Sequence, residues 1–189
     1  MISREKYMKN FGIERNKILL LLLFFLGIGG CSCVKVTDYK DNTPIMRPES
    51  FFDGNLTAHG TVKNRKGKVI RYFNATIKAS WKNGVGVLDE DFLFNDGEKQ
   101  KRVWKLVKGS DGTYTGTAGD VVGEAKGRIS GNSMFLNYVL KVPYGDSDIN
   151  ISIDDRMYLV DQNILINESE MTKFGFRVGE INLVILKDR

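Results

Sequence analysis

The sequence predicts an all-β protein: an antiparallel meander closed into a barrel, with a two-sheet β-sandwich as the alternative. Three observations carry this. Apolar and polar residues alternate with a period of two in one segment after another from Leu56 onward. Turn signals such as Asn83-Gly84, Asp96-Gly97 and Gly131-Asn132 separate those segments. No stretch has a sustained amphipathic helical period, and Met171 to Phe174 offers a single turn at most. About nine or ten consecutive strands on short connections favour a closed meander, because sandwiches more often use long crossings.

The 189 residues suit one domain behind a targeting segment. Arg4, Lys6, Lys9, Arg15 and Lys17 precede an apolar run from Ile18 to Leu26. That run falls well short of the roughly 20 residues a membrane span needs and matches the hydrophobic region of a secretory signal. Ile28-Gly29-Gly30-Cys31 resembles the lipobox of bacterial lipoproteins, in which the signal is cut before a cysteine that then carries lipid. The resemblance implies a signal over 1–30, lipid attachment at Cys31 and a membrane partner through that lipid. Ser32 in place of an aspartate implies the outer membrane, facing the periplasm. Cys33 fits the pattern less well, and two cysteines so close together neither staple a domain nor make a metal or redox pair.

Residues 1–30 hold five of the 28 basic and two of the 23 acidic residues, leaving 23 against 21, a net charge of +2. The basic balance of the whole chain thus comes largely from the signal. With no basic run interleaved with aromatics, nucleic acid is not an expected partner. Polar residues 31–50, with Pro44 and Pro48 and no sustained period, are expected to form a flexible tether, and 51–189 the barrel.

Within the barrel, Leu56 to Val62 is the first expected strand. Val69 to Trp81 follows, with Phe73, Ala75, Ile77, Ala79 and Trp81 on one face. Asn83-Gly84 turns into a central hairpin, Val87 to Val107. The next strands expected are Thr113 to Thr117, Val121 to Ile129, and Ser133 to Val142 with Met134, Leu136, Tyr138 and Leu140 on one face. A turn over Pro143 to Ser147 leads to a strand lined by Ile149, Ile151, Ile153, Asp155, Met157 and Leu159. Ile164 to Glu168 and two short alternations over Phe174 to Lys187 close the chain. Glycines in the middle strands, Gly116, Gly123 and Gly127 among them, suit the bends of a barrel wall or the thinning of a cavity.

The central hairpin holds the main candidates. Leu88, Glu90, Phe92 and Phe94 share one side of its first strand, and Arg102, Trp104 and Leu106 share one side of the second. A three-residue loop of Asn95, Asp96 and Gly97 would set Glu90 opposite Arg102, and a five-residue loop would set it opposite Trp104; either leaves the two charges within reach. Their pairing would offset the several kcal/mol that an unpaired buried charge costs; alternatively Arg102, with Tyr138, would anchor an anionic headgroup. Asp155 also faces inward, so Glu90 and Asp155 could serve as paired carboxylates of the kind glycosidases use. The single histidine, His59, lacks the partners of a metal or nucleophile site, and no phosphate loop or dinucleotide fingerprint is present. No metal and no cofactor are implied.

Several features in order, among them Phe52-Asp53-Gly54, Trp81, Arg102-Val103-Trp104, Tyr114-Thr115-Gly116, Asp120-Val121-Val122-Gly123, Asp154-Asp155-Arg156-Met157-Tyr158 and Lys173-Phe174-Gly175, resemble a family of uncharacterised bacterial lipoproteins. The resemblance covers nearly all of Phe51 to Lys187. It implies a lipocalin-like (calycin-like) strand pattern and an association with genes for fatty-acid modification, although the glycine-aromatic-tryptophan signature of true lipocalins is absent from the first strand. The expected function is a lipid-anchored envelope protein that binds a fatty acid or lipid-derived ligand. Arg102, Glu90, Trp104, Tyr138, Trp81, Phe92 and Asp155 are its candidate ligand-binding residues. The alternatives are a lipoprotein with a sealed core that presents its outer face to an envelope protein partner and, third, an enzyme acting on envelope lipids.

Overall fold

Strand alternation and short turns produce the expected barrel. The structure, a computed structural model, describes residues 33–188. The expected signal over 1–30 and the lipid-attachment residue Cys31 lie outside the described residues. Lys35–Arg189 forms a compact unit with its own closed sheet and core, the content of an independently folding domain.

The strands are β1 (Gly54–Asn64), β2 (Val69–Lys82), β3 (Val85–Phe94), β4 (Lys99–Lys108), β5 (Thr113–Thr117), β6 (Ala125–Ser130), β7 (Ser133–Tyr144), β8 (Ser147–Leu159), β9 (Ile164–Lys173) and β10 (Phe176–Lys187). Each pairs antiparallel with the next, and β1 pairs with β10, so the meander closes into a barrel. Asn83 and Gly84 both have positive φ in the two-residue turn between β2 and β3, the conformation Asn-Gly favours. The sandwich alternative is thereby excluded.

The ends of the barrel differ. At one end the chain before β1 forms a plug. A 3-10 turn, η1 (Val36–Tyr39), packs beside β6 and β7, and Tyr39 lies edge-on to Phe135, 5.9 Å between ring centres. The Met46 N–H donates to the Gly131 carbonyl at 2.7 Å, and a short helix, α1 (Pro48–Phe51), follows. Met46, Phe51 and Phe52 join the core cluster, Met46 with no exposed surface. Tyr114, buried on β5, donates to Glu49 at 2.8 Å and ties the helix down. Gly131 permits this crossing, since its φ is +54° and a Cβ there would collide with the Tyr39 carbonyl.

The tether expected over 31–50 is therefore corrected: from Val36 onward the segment is packed, first with Tyr39 on the outer wall against Phe135 and Tyr158, then as the plug from Met46 to Phe52. Its apolar residues are too widely spaced to show a period, yet Val36, Met46, Pro48 and Phe51 each find a place in the core.

Two further expectations change. Val121 to Ile129 is a strand only from Ala125; before it, Val121 makes one isolated bridge to Leu140. Met171 to Phe174 is no helical turn but the end of a long β9 and its hairpin, and β10 is one strand whose register shifts between Arg177 and Gly179. Pro143 lies within β7, paired with Asp148 of β8, at a level where β7 has lost β6 as its other neighbour. Its missing N–H is thus not needed by a ladder.

Candidate functional site: a polar belt in a half-open barrel

The inward-facing residues form three layers. In the plugged half, Leu88, Trp104, Leu106, Tyr114, Met134, Met157 and Leu165 are buried under Met46 and Phe52. In the other half, Phe92, Phe94, Leu140, Val142, Ile149, Ile181 and Leu183 face inward by the same alternation but are only half-buried, at a mouth no plug covers among the described residues. Between these layers lies a polar belt. It consists of Glu90 on β3, Arg102 on β4, Tyr138 on β7, Asp155 on β8, and Asn167 and Ser169 on β9.

Register brings Glu90 directly opposite Arg102, with Ile77 of β2 on its other side, as the three-residue loop requires. Their expected ion pair does not form: no N···O contact within 4 Å joins them. Instead Arg102 donates to Asp120, from Nε at 2.9 Å and from Nη2 at 2.6 Å to the same carboxylate oxygen. A forked guanidinium–carboxylate pair of this kind fixes orientation as well as charge. The physical reason lies in the wall. β5 pairs with β4 only along Lys105–Lys108, and β6 pairs with β7 only as far as Asn137. In the mouth half, the space between β4 and β7 is filled by residues 118–124, held to β7 by Val122 N–H to the Val139 carbonyl and Lys141 N–H to the Asp120 carbonyl, each 2.8 Å. That segment carries Asp120 to Arg102, whose guanidinium also lies 5.6 Å from the Phe92 ring centre.

Glu90 is left without a hydrogen bond among the described residues, at 9% exposure. Burial pushes its carboxyl up to about 7; the Arg102 charge opposes this, while Asp120 and Asp155 reinforce it. Asp155 accepts hydrogen bonds from Ser169 Oγ at 2.7 Å and from Asn167 Nδ2, yet burial still raises it above the usual carboxylate range. Burial likewise raises the Tyr138 hydroxyl well above the usual phenol range, and its ring meets Trp104 edge-on, 5.3 Å between centres. Burial disfavours the Arg102 charge, but its bonds to Asp120 and the Glu90 charge outweigh that and raise it.

Of the seven ligand-binding candidates, the belt brings together Glu90, Arg102, Tyr138 and Asp155. Trp104 lies just beneath it and Phe92 just above. Trp81 is not part of the site: it stands edge-on to Tyr114 in the plugged half, packed against the core. Asp120 was missed because nothing in a glycine-flanked break signals a long-range ion pair. Asn167 and Ser169 were legible in principle, since they alternate with buried Leu165 on β9. His59 sits on the outer face, exposed, its Nδ1 2.6 Å from Asn74 Oδ1. Near it, the outward faces of β8, β9, β10, β1 and β2 form a groove of about 910 Å³, lined by Lys63, Asp154, Arg156, Glu168, Glu170 and Asn182 among others.

The family model described as protein of unknown function (DUF3833) matches residues 25–187. The chain belongs to this family. No curated protein matches this DUF3833 member. Among solved structures, it is similar to the S-type phycobiliprotein lyase CPES from Guillardia theta. The TM-score is 0.56 at 12% identity over 76% of this chain and 94% of that one. It is also similar to Rv2717c from M. tuberculosis, with a TM-score of 0.56 at 12% identity over 79% of this chain and all of the other. Likenesses at this identity concern the fold: the DUF3833 domain is a closed, lipocalin-like barrel of ten strands.

Proposed function

We propose that this protein is a lipid-anchored envelope protein whose barrel takes an apolar or amphipathic, lipid-derived ligand through its open end. The observation that carries this reading is the contrast along the barrel axis. The same alternation that seals one half leaves Phe92, Phe94, Leu140 and Leu183 of the other half half-exposed above a polar belt, beside the buried Phe73 and Ile151. An apolar-lined recess with a few convergent polar groups is the usual form of a small-molecule site. The alkyl part lies against Phe92, Phe94, Leu140 and Leu183, and the polar part meets the belt.

The unit from Lys35 onward, purified and extracted, should yield a bound amphiphile by mass spectrometry and should bind a fluorescent alkyl probe. Repeated absence of both sinks the reading. Lipid attachment at Cys31, and with it an outer-membrane location facing the periplasm, rests on the Ile28-Gly29-Gly30-Cys31 motif. Cys31→Ser should leave an uncleaved precursor, and normal processing would refute the anchor.

A second reading, docking of an envelope protein on the outer face, is favoured by the groove of about 910 Å³ over β8 to β2, in which both charge signs are present. Charge reversal at Arg156 and Lys63 should then abolish recovery of one specific partner from membranes while leaving amphiphile binding unchanged.

A further inference from the structure

The chemistry of the belt constrains the polar end of the ligand, given the proposal above that the barrel takes an amphiphile. Arg102 is the one cation in the belt, and its Nε and Nη2 are already given to Asp120. Against that single positive charge stand three carboxyls: Asp120, Glu90 and Asp155. With Asp120 ionised in its pair with Arg102, the set sums to zero when Glu90 and Asp155 are both neutral and is negative when either is ionised; no protonation state of those two makes it positive. A carboxylate or phosphate head would add a further negative charge to a buried site without a free counter-charge, which disfavours its binding. The expected role of Arg102 as anchor for an anionic head is therefore not supported by its surroundings.

What the belt lacks is a donor. Asp155 accepts from Ser169 and Asn167, and Asp120 accepts from Arg102. Glu90, nine-tenths buried and aimed into the barrel, accepts from no described residue. Its oxygens keep a small contact with solvent, so a donor brought by a ligand would take the place of water at an acceptor that no side chain satisfies. Glu90 also lies at the floor of the open half, one inward position deeper than Phe92, so a head that reaches it enters first and leaves the alkyl chain in the apolar mouth.

We infer that the ligand enters head-first and that its head is a hydrogen-bond donor without negative charge, a hydroxyl, amide or primary amine on an alkyl chain, received by the Glu90 carboxyl. The test titrates the unit from Lys35 onward with dodecylamine, 1-dodecanol and dodecanoate at pH 8, each below its micelle concentration, by calorimetry and tryptophan emission. Dodecylamine and dodecanol should bind, and dodecanoate at least tenfold more weakly than dodecylamine. Glu90→Gln, close to isosteric, should weaken dodecylamine at least tenfold and dodecanol less than threefold. Asp120→Asn removes one negative charge and frees Arg102, so it should strengthen dodecanoate. Dodecanoate binding the unsubstituted protein as tightly as dodecylamine, or a dodecylamine affinity indifferent to Glu90→Gln in a protein that melts normally, overturns this inference and leaves the barrel reading intact. Binding of none of the three overturns both.

Discussion

The two halves of the barrel are built from the same strands by the same alternation, yet they end in different states. In the plugged half, Met46, Phe51 and Phe52 complete a core in which Leu88, Trp104 and Leu165 are buried. In the mouth half, Phe92, Leu140 and Leu183 point inward in the same way and stay half-exposed. The difference teaches that alternation decides which side chains face the axis, while what lies over the barrel end decides whether they form a core or a recess. Here that part is the chain before β1.

The largest expected effect breaks the plugged half. Met46→Ala removes a fully buried side chain and should cost roughly 2–4 kcal/mol, whereas Leu140→Ala in the mouth should cost under about 1 kcal/mol. Urea unfolding of the two variants measures the contrast, and equal losses would mean the halves are packed alike.

The belt separates the halves, and its pH response comes next. The Glu90 carboxyl is raised from 4.5 to about 7 by burial, with Arg102 opposing and Asp120, Asp155 and Asp89 adding to the rise. The folded state thus holds this proton more tightly than the unfolded chain. The stability it contributes is fully present below pH ~4.5 and is lost as pH rises through about 7. The loss is on the order of 3 kcal/mol, since each tenfold difference in proton affinity between folded and unfolded chain is worth about 1.4 kcal/mol. Glu90→Gln should flatten that part of the stability–pH curve, gaining on the unsubstituted protein at pH 8 and little at pH 4.5. Parallel curves from denaturant melts would show that Glu90 is not the group responsible.

A smaller effect belongs to the wall of the mouth. Asp120→Asn weakens the forked bond to Arg102, a pair whose side chains are 21% and 36% exposed, and should cost on the order of 1 kcal/mol. Its more specific signature is faster amide exchange at Val122 and Lys141, whose N–H groups hold the 118–124 segment to β7. Unchanged exchange at both would mean that the backbone bonds alone keep this segment in place.

Much of this architecture was legible in the sequence. Period-two patterning over Val69 to Trp81 and Ser133 to Val142, with Asn83-Gly84 and Asn95-Asp96-Gly97 between strands, led to the meander and to two registers for the hairpin, of which the structure has the one that sets Glu90 against Arg102. Alternation also assigned Glu90, Arg102, Tyr138 and Asp155 to the interior. Two things were not legible, for one physical reason: both depend on irregular backbone reaching across the fold. The plug has no period because each of its anchors packs singly, and Asp120 meets Arg102 only because β5 and β6 stop short and a loop fills the wall. Trp81 shows the complementary limit, since alternation along β2 gives the facing direction but not which half of the barrel a residue enters.

The central claim is that the mouth half receives an amphiphile and the plugged half does not, and the two tryptophans report on these separately. Trp104 lies next to the belt against Tyr138, and Trp81 lies in the plugged half against Tyr114. Titrated with dodecylamine, the Trp81→Phe protein, which keeps Trp104, should show a saturable change in emission. The Trp104→Phe protein, which keeps Trp81, should show almost none. The reverse pattern, or no saturable change in either protein, would contradict the account.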